Sequence, residues 1–204
     1  MDWSLLHTLN DFLFHHDAVE DPVLFYVNAS EALFVATLAI VSLAARGERH
    51  AGWRRATVAA VLSAAVALAI GQAIADVVDR VRPFVADPHQ VHLFAAHAAD
   101  SGFPSDHATA SFAIAVAIFL RKRGWGTFAL VAATALSVGR VAVGYHFPTD
   151  VLAGAALGTA AALLLWIPAL RRRVDAFADL LGRPLDRLFA WGAKRFSLSA
   201  ANSD

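Results

Sequence analysis

Four residue types suited to phosphoryl transfer, arginine, serine, histidine and aspartate, fall in three separated stretches of the chain. The first stretch is DRVRPF, Asp79 to Phe84, with Arg80 and Arg82; the second is PSDH, Pro104 to His107. The third is GRVAVGYHFPTD, Gly139 to Asp150, with Arg140, His146 and Asp150. Together they hold two or three guanidinium groups, a hydroxyl, two histidines and carboxylates. Guanidinium forks bind phosphate oxygens bidentately and stabilise the charge of a phosphoryl transition state. A helix starting near Ser105 would add its free backbone N–H groups. One histidine could attack phosphorus, with a carboxylate fixing its tautomer, and the other could protonate the leaving oxygen.

Such residues need elements that bring them to one place. The chain has 204 residues, of which 58% are hydrophobic, and a mean hydropathy of +0.54. That exceeds the apolar share of soluble domains, roughly 45–50%, and points to one integral membrane domain over residues 1–204. Zero net charge implies no nucleic-acid partner. The absence of cysteine excludes disulfides, thiolate-bound zinc and thiol catalysis. No lysine or arginine precedes Arg46, so the N-terminus does not read as a cleavable signal peptide.

A membrane crossing needs about 20 mostly apolar residues. Five segments qualify within a bundle over 23–170: Val23–Ala45, Ala56–Val78, Phe103–Leu120, Thr127–Tyr145 and Val151–Leu170. The third has the shortest apolar part. Trp3, Leu5, Leu6, Leu9, Phe12 and Leu13 recur at helical spacing within 1–20, which reads as an interfacial helix. Val174, Phe177, Leu181, Leu185 and Leu188 do the same in a basic tail, 171–204, broken at Gly182-Arg183-Pro184. The predicted fold class is an all-α membrane bundle of about five crossings flanked by amphipathic helices.

All but three of the 17 lysines and arginines fall on one side of these crossings, between one and two, between three and four, and after five. That side is predicted to be cytoplasmic, with the N-terminus outside. The exceptions are Arg80, Arg82 and Arg140, all on the outer side with the histidines. Cations placed against the bias ask for a local reason such as an anionic ligand.

These residues resemble the type-2 phosphatidic acid phosphatases. Arg82-Pro83 matches the end of that family's first motif, Pro104-Ser105-Asp106-His107 the second, and Arg140, His146 and Asp150 the third with spacing intact. PSDHA and YHFPTDVLAGAALG are most similar to the bacterial undecaprenyl-diphosphate phosphatases of the bacitracin-resistance type. The resemblance implies a hydrolase of the bacterial cytoplasmic membrane. It would cleave undecaprenyl diphosphate at the outer face to the monophosphate and inorganic phosphate, recycling the peptidoglycan carrier in cell-wall biogenesis. It implies that His146 attacks to form a phosphohistidine, Asp150 orients it, and His107 protonates the leaving group. Arg82, Arg140 and Ser105 would bind the phosphoryl oxygens, with no metal or cofactor, since arginines neutralise the charge. Two positions depart from the pattern. Ala75 stands where a lysine is expected, and Gly139 replaces a serine. Arg80 is the candidate substitute for the lysine.

Taken singly, the same residues have plainer readings. Ser105 could be a helix cap, Arg82-Pro83 a helix end, and Arg140 a snorkelling side chain. Their joint occurrence favours the catalytic reading. His89, His92 and His97 do not have a zinc spacing and suggest a flexible gate. Glu31 lies inside the first crossing, to pair with an outer arginine or line a lipid cleft. Asp76 and Asp79 are expected to pair with Arg80 or Arg82, and Gly154 and Gly158 to form a close helix-packing face. The basic tail is expected to lie on anionic lipid. Alternatives are a phosphatase of phosphatidic acid, phosphatidylglycerol phosphate or another prenyl-phosphate conjugate, a non-enzymatic lipid transporter or scaffold, and a vanadate-dependent haloperoxidase.

Overall fold

The computed structural model describes residues 2–44 and 51–183, and no strand occurs among them. The chain forms α1 (Asp2–Phe14), α2 (Asp17–Ala44), α3 (Ala51–Val78), the short α4 (Pro83–Ala86), α5 (Asp106–Phe119), α6 (Arg123–Ala142) and α7 (Pro148–Trp166). A further helix, α8, covers 168–183. Arg46, Arg49 and the predicted tail from Pro184 onward, with Leu185, Arg187, Leu188, Lys194 and Arg195, lie outside the described residues.

α5 is the central post, packed against α3, α6 and α7. Its sequence explains why. Alanines at 108, 113, 115 and 117 are all buried and leave room for neighbouring backbones on several sides. The neighbours meet it with small residues as well. A Cβ on Gly158 of α7 would lie 2.2 Å from the Thr109 carbonyl oxygen, and one on Gly154 2.5 Å from that of Ser105. A Cβ on Gly126 of α6 would meet the Phe119 backbone at 2.1 Å. The core between α3, α5 and α7 is accordingly alanine-rich, with Ala60, Ala67, Ala113 and Ala161 among its members. Close backbone approach is how helices associate where hydrocarbon on the outside is as apolar as the core.

Four helices, α2, α3, α6 and α7, are long and apolar enough to cross a membrane. Large apolar side chains such as Phe25, Val35, Phe128, Val131 and Leu152 stay exposed on them, as lipid-facing surfaces require. The predicted third crossing is shorter than expected. α5 has 14 residues, about 21 Å at 1.5 Å per residue, against a hydrocarbon core of about 30 Å. Being enclosed by protein, it need not span lipid by itself. The fifth crossing also ends early. The helix stops at Trp166 and restarts at Pro168, so Leu170 belongs to α8; proline suits a first helical position and not an interior one.

α1 and α8 are both held against the bundle. Leu6, Asn10 and Leu13 of α1 are buried, leaving Leu5 and Phe12 exposed. In α8, Val174 and Ala178 are buried while Phe177 and Leu181 are exposed. Arg55 donates to Asp179 at 2.6 and 3.0 Å, and Arg121 pairs with Asp175 at 2.9 Å. α8 therefore docks on the ends of α3 and α5, with Gly182 and Arg183 still helical; Pro184, the last residue of the expected break, lies outside the described residues.

Candidate active site

The end of the bundle opposite α8 collects the three stretches. α3 stops at Val78, and Asp79 leaves it with φ +40°, a left-handed conformation that Asp tolerates. Arg80 and Arg82 then follow in the segment leading to α4. The 87–105 loop returns beside it, with the Gly102 N–H donating to the Arg80 carbonyl at 2.7 Å. The α6–α7 turn is set by Gly144, at φ +86°, where a Cβ would lie 2.7 Å from Val91. That turn delivers His146, and α7 begins two residues later. The start of α5 is tied to α7 by the Ser105 N–H, which donates to the Asp150 carbonyl at 3.1 Å.

His146 lies at the centre, almost fully buried. Its Nδ1 is 2.9 Å from the Gly102 carbonyl oxygen. A carbonyl can only accept, so Nδ1 carries the proton and Nε2 presents its lone pair. Arg82 Nη1 is 3.1 Å and Arg140 Nη2 3.3 Å from that Nε2. Burial lowers the His146 pKa well below its ordinary value, and Arg140 and Arg82 add to the effect. The imidazole is therefore neutral, as an attacking nitrogen must be, and it faces two cations able to gather phosphoryl oxygens.

The arginines are braced. Arg82 Nε donates to Asp100 Oδ1 at 2.9 Å, and its Nη1 also reaches the Tyr145 carbonyl at 3.1 Å. Arg140 Nη2 is 3.1 Å from His97 Nε2. Burial lowers the His97 pKa, and Arg82 and Arg140 depress it further, so His97 accepts from Arg140 as a neutral ring. Among the described residues, Ser105 Oγ and Arg140 Nε, like Ser101 Oγ, are buried with no hydrogen-bond partner. Ser105 occupies the N-cap of α5 but its side chain makes no capping bond, so capping does not account for it.

The remaining predicted residues are arranged differently. Asp150 lies 3.9 Å from His146 Nδ1, beyond hydrogen-bond reach. Its Oδ2 instead accepts from the Phe147 N–H at 2.8 Å and its Oδ1 from Arg80 at 2.7 Å. Arg80 also donates to Asp2 at 2.9 Å and to Thr149 at 2.6 Å. The expected pairing with Asp76 and Asp79 is not what holds these arginines: Arg80 pairs with Asp2 and Asp150, Arg82 with Asp100, and Asp76 accepts from Gln72. Gly139 has a packing role, since a Cβ there would lie 2.9 Å from Val27 of α2.

His107, half-buried in the first turn of α5, lines an apolar cleft with Asp106 and Glu31. The cleft, about 540 Å³, runs between α2, α3 and α5. A second apolar cavity of about 370 Å³ shares Phe34, Leu38 and Ile114 with it and reaches Trp53 and Trp125. Glu31 thus lines the cleft. The 87–105 loop is fastened: the Asn10 amide brackets His92, accepting from its N–H at 2.8 Å and donating to its carbonyl at 2.9 Å. His97 alone of the three loop histidines reaches the arginines. Asp2, Asp100 and the Gly102 carbonyl were missed in the sequence. The first two are far from their partners along the chain, and a carbonyl carries no sequence signal.

A family model, the PAP2 superfamily, matches residues 56–173. The protein belongs to the PAP2 superfamily. Among curated relatives, the undecaprenyl-diphosphatase BcrC of Bacillus subtilis is 33% identical over 140 residues, 69% of this chain and 70% of that protein. The bacitracin transport permease protein BcrC of Bacillus licheniformis is 32% identical over 146 residues, 72% of this chain and 70% of its own. A putative undecaprenyl-diphosphatase of Escherichia coli, YbjG, is 32% identical over 117 residues, 55% of this chain and 58% of that protein. The crystal structure of Aquifex aeolicus LpxE superposes with a TM-score of 0.61 at 19% identity, covering 80% of this chain and 93% of that one, a likeness of fold. This PAP2 protein is a multi-pass membrane lipid-phosphate hydrolase.

Proposed function

We propose that the protein hydrolyses undecaprenyl diphosphate to undecaprenyl phosphate and inorganic phosphate at the outer face of the bacterial cytoplasmic membrane. The observation carrying the chemistry is the neutral His146 Nε2 facing Arg82 and Arg140. Nε2 attacks the terminal phosphorus, and the bond to the bridging oxygen breaks. His107 gives its proton to the departing undecaprenyl phosphate. Water then attacks the phosphohistidine while His107 takes up the proton, and inorganic phosphate leaves. Arg82, Arg140 and Ser105 hold the phosphoryl oxygens throughout, each donating to charge that grows in the transition state. Asp150 acts through its charge and through the turn it caps, since it lies out of bonding range of the imidazole. The apolar cleft beside His107 supports a long hydrocarbon tail, and the relatives' activity supports the prenyl diphosphate head.

The test is phosphate release from a panel of undecaprenyl diphosphate, phosphatidic acid and phosphatidylglycerol phosphate by the purified protein in detergent. The expected result is a kcat/KM for undecaprenyl diphosphate at least about tenfold above the others, a transition-state preference of about 1.4 kcal/mol. Equal or greater turnover of a glycerophospholipid would reassign the substrate.

A further inference from the structure

The first turn of α1 lies outside the segment matched to the family, 56–173, yet it reaches residues 147 to 150. Asp2 Oδ2 accepts from Thr149 Oγ1 at 2.6 Å and from Arg80 Nη2 at 2.9 Å. Its Oδ1 accepts the Thr149 backbone N–H at 3.2 Å. That N–H belongs to the first turn of α7, where the helix has no acceptor of its own and a carboxylate is favoured. Trp3 meets the Phe147 ring edge-on, centroids 4.9 Å apart, and the Arg80 guanidinium lies 4.5 Å from the centroid of the same ring. Phe147 directly follows His146.

Building on the proposed phosphatase reading, we propose that Asp2 is a positioning residue of this active site, locking Arg80 onto Asp150 and fixing the turn that carries His146. Arg80 follows the last turn of α3, on a segment without helical hydrogen bonds to restrain it. Three oxygens orient its guanidinium, from Asp150, Thr149 and Asp2, and Asp2 is the only one of the three supplied from outside the α7 start. Remove Asp2 and Arg80 keeps its charge but loses the clamp on its second nitrogen. Asp150 is fully buried, and Arg80 is the one side-chain cation bonded to it among the described residues. A loosened Arg80 therefore loosens Asp150, the Phe147 N–H it accepts, and the adjacent imidazole. α1 is anchored independently, by Leu6 and Leu13 in the core and by Asn10, which also donates to the Ala142 carbonyl at 2.7 Å. Changing Asp2 thus probes the clamp without undocking the helix. The same geometry holds Arg80 between two carboxylates, and the proposal gives it a positioning role in place of the phosphate contact expected from the sequence.

The experiment uses the full-length protein with Asp2→Asn, Arg80→Gln and the double variant, plus Asp2→Glu as the conservative change. Asp2→Asn should lower kcat about tenfold with KM changed less than about twofold, because the nucleophile is misplaced while substrate contacts persist. Asp2→Glu should recover part of the loss. Adding Asp2→Asn to Arg80→Gln should cost nothing further, since coupled residues are non-additive. A second readout needs no turnover: phenylglyoxal labelling of Arg80, followed by peptide mass spectrometry, should rise severalfold in Asp2→Asn. Wild-type kcat in Asp2→Asn, unchanged Arg80 labelling, or losses that multiply in the double variant would each overturn the proposal. A wild-type protein that hydrolyses no lipid phosphate would instead sink the phosphatase reading, and the labelling contrast would still decide whether Asp2 holds Arg80.

Discussion

At the scale of single residues, His146 is defined by what its two nitrogens face. Nδ1 is committed to the Gly102 carbonyl, leaving Nε2 toward the two guanidiniums. Ser105 complements it as a buried hydroxyl with no partner among the described residues. Removing a hydroxyl that makes no intramolecular bond removes no native interaction. Ser105→Ala should therefore keep the wild-type melting temperature within a degree or two, while kcat/KM falls about tenfold to a hundredfold through the lost phosphoryl contact. Parallel melting and phosphate-release assays check this; a large drop in melting temperature with unchanged kcat/KM would make Ser105 structural. That His146, Arg82 and Arg140 come together was legible in the sequence, because fixed spacing around helix ends gives them a pattern. Asp2 and Asp100 were not, because nothing local connects them to Arg80 and Arg82, which they meet only once the bundle closes. Asp150 was legible as a member of the site but not in its contacts, since the spacing to His146 is equally met by a residue that caps α7.

At the scale of elements, the site depends on how closely α5 and α7 approach, because α5 carries Ser105 and His107 while α7 carries Asp150. Gly154 and Gly158 set that approach, as their spacing suggested. Gly158→Leu would drive a side chain into the Thr109 backbone, where overpacking typically costs about 1–3 kcal/mol and a rigid backbone neighbour puts the cost at the upper end. The expected result is a lower melting temperature and loss of phosphate release, with Gly124→Leu, at a glycine with nothing within 4 Å, unaffected. Equal behaviour of the two variants would contradict the packing account. The length of α5 was misjudged from sequence for a related reason. Alanine-rich helices buried by protein have much the same hydropathy as helices buried by lipid, so composition gives no signal of which solvent surrounds them.

For the whole molecule, the bundle puts two charge inventories at opposite ends. Arg55, Arg121 and Arg171 lie by α8, and Arg80, Arg82 and Arg140 lie by the histidines. The proposed outer-face role takes the histidine end as the outer one, the orientation expected from the positive-inside rule. Ala99→Cys, exposed in the 87–105 loop, should react with a membrane-impermeant thiol reagent on intact cells, and Gly124→Cys, exposed in the first turn of α6, should react only after lysis. The native chain has no cysteine to obscure the result. Labelling of Gly124→Cys alone in intact cells would reverse the orientation and remove the outer-face role. Helix class and the polarity of the ends were legible from hydropathy and charge order. The docking of α1 and α8 was not, because an amphipathic face reads the same whether protein or lipid covers it.

In the proposed mechanism a neutral His146 attacks phosphorus through Nε2. That attack is tested most directly by mixing the purified protein with excess undecaprenyl diphosphate, quenching within milliseconds in base, and mapping the phosphoryl group by mass spectrometry. The expected product is a phosphoryl group on His146, attached at Nε2, formed in the wild type and absent from His146→Ala. A phosphoryl group on Nδ1 or on another residue, or turnover at the wild-type rate by His146→Ala, would contradict it.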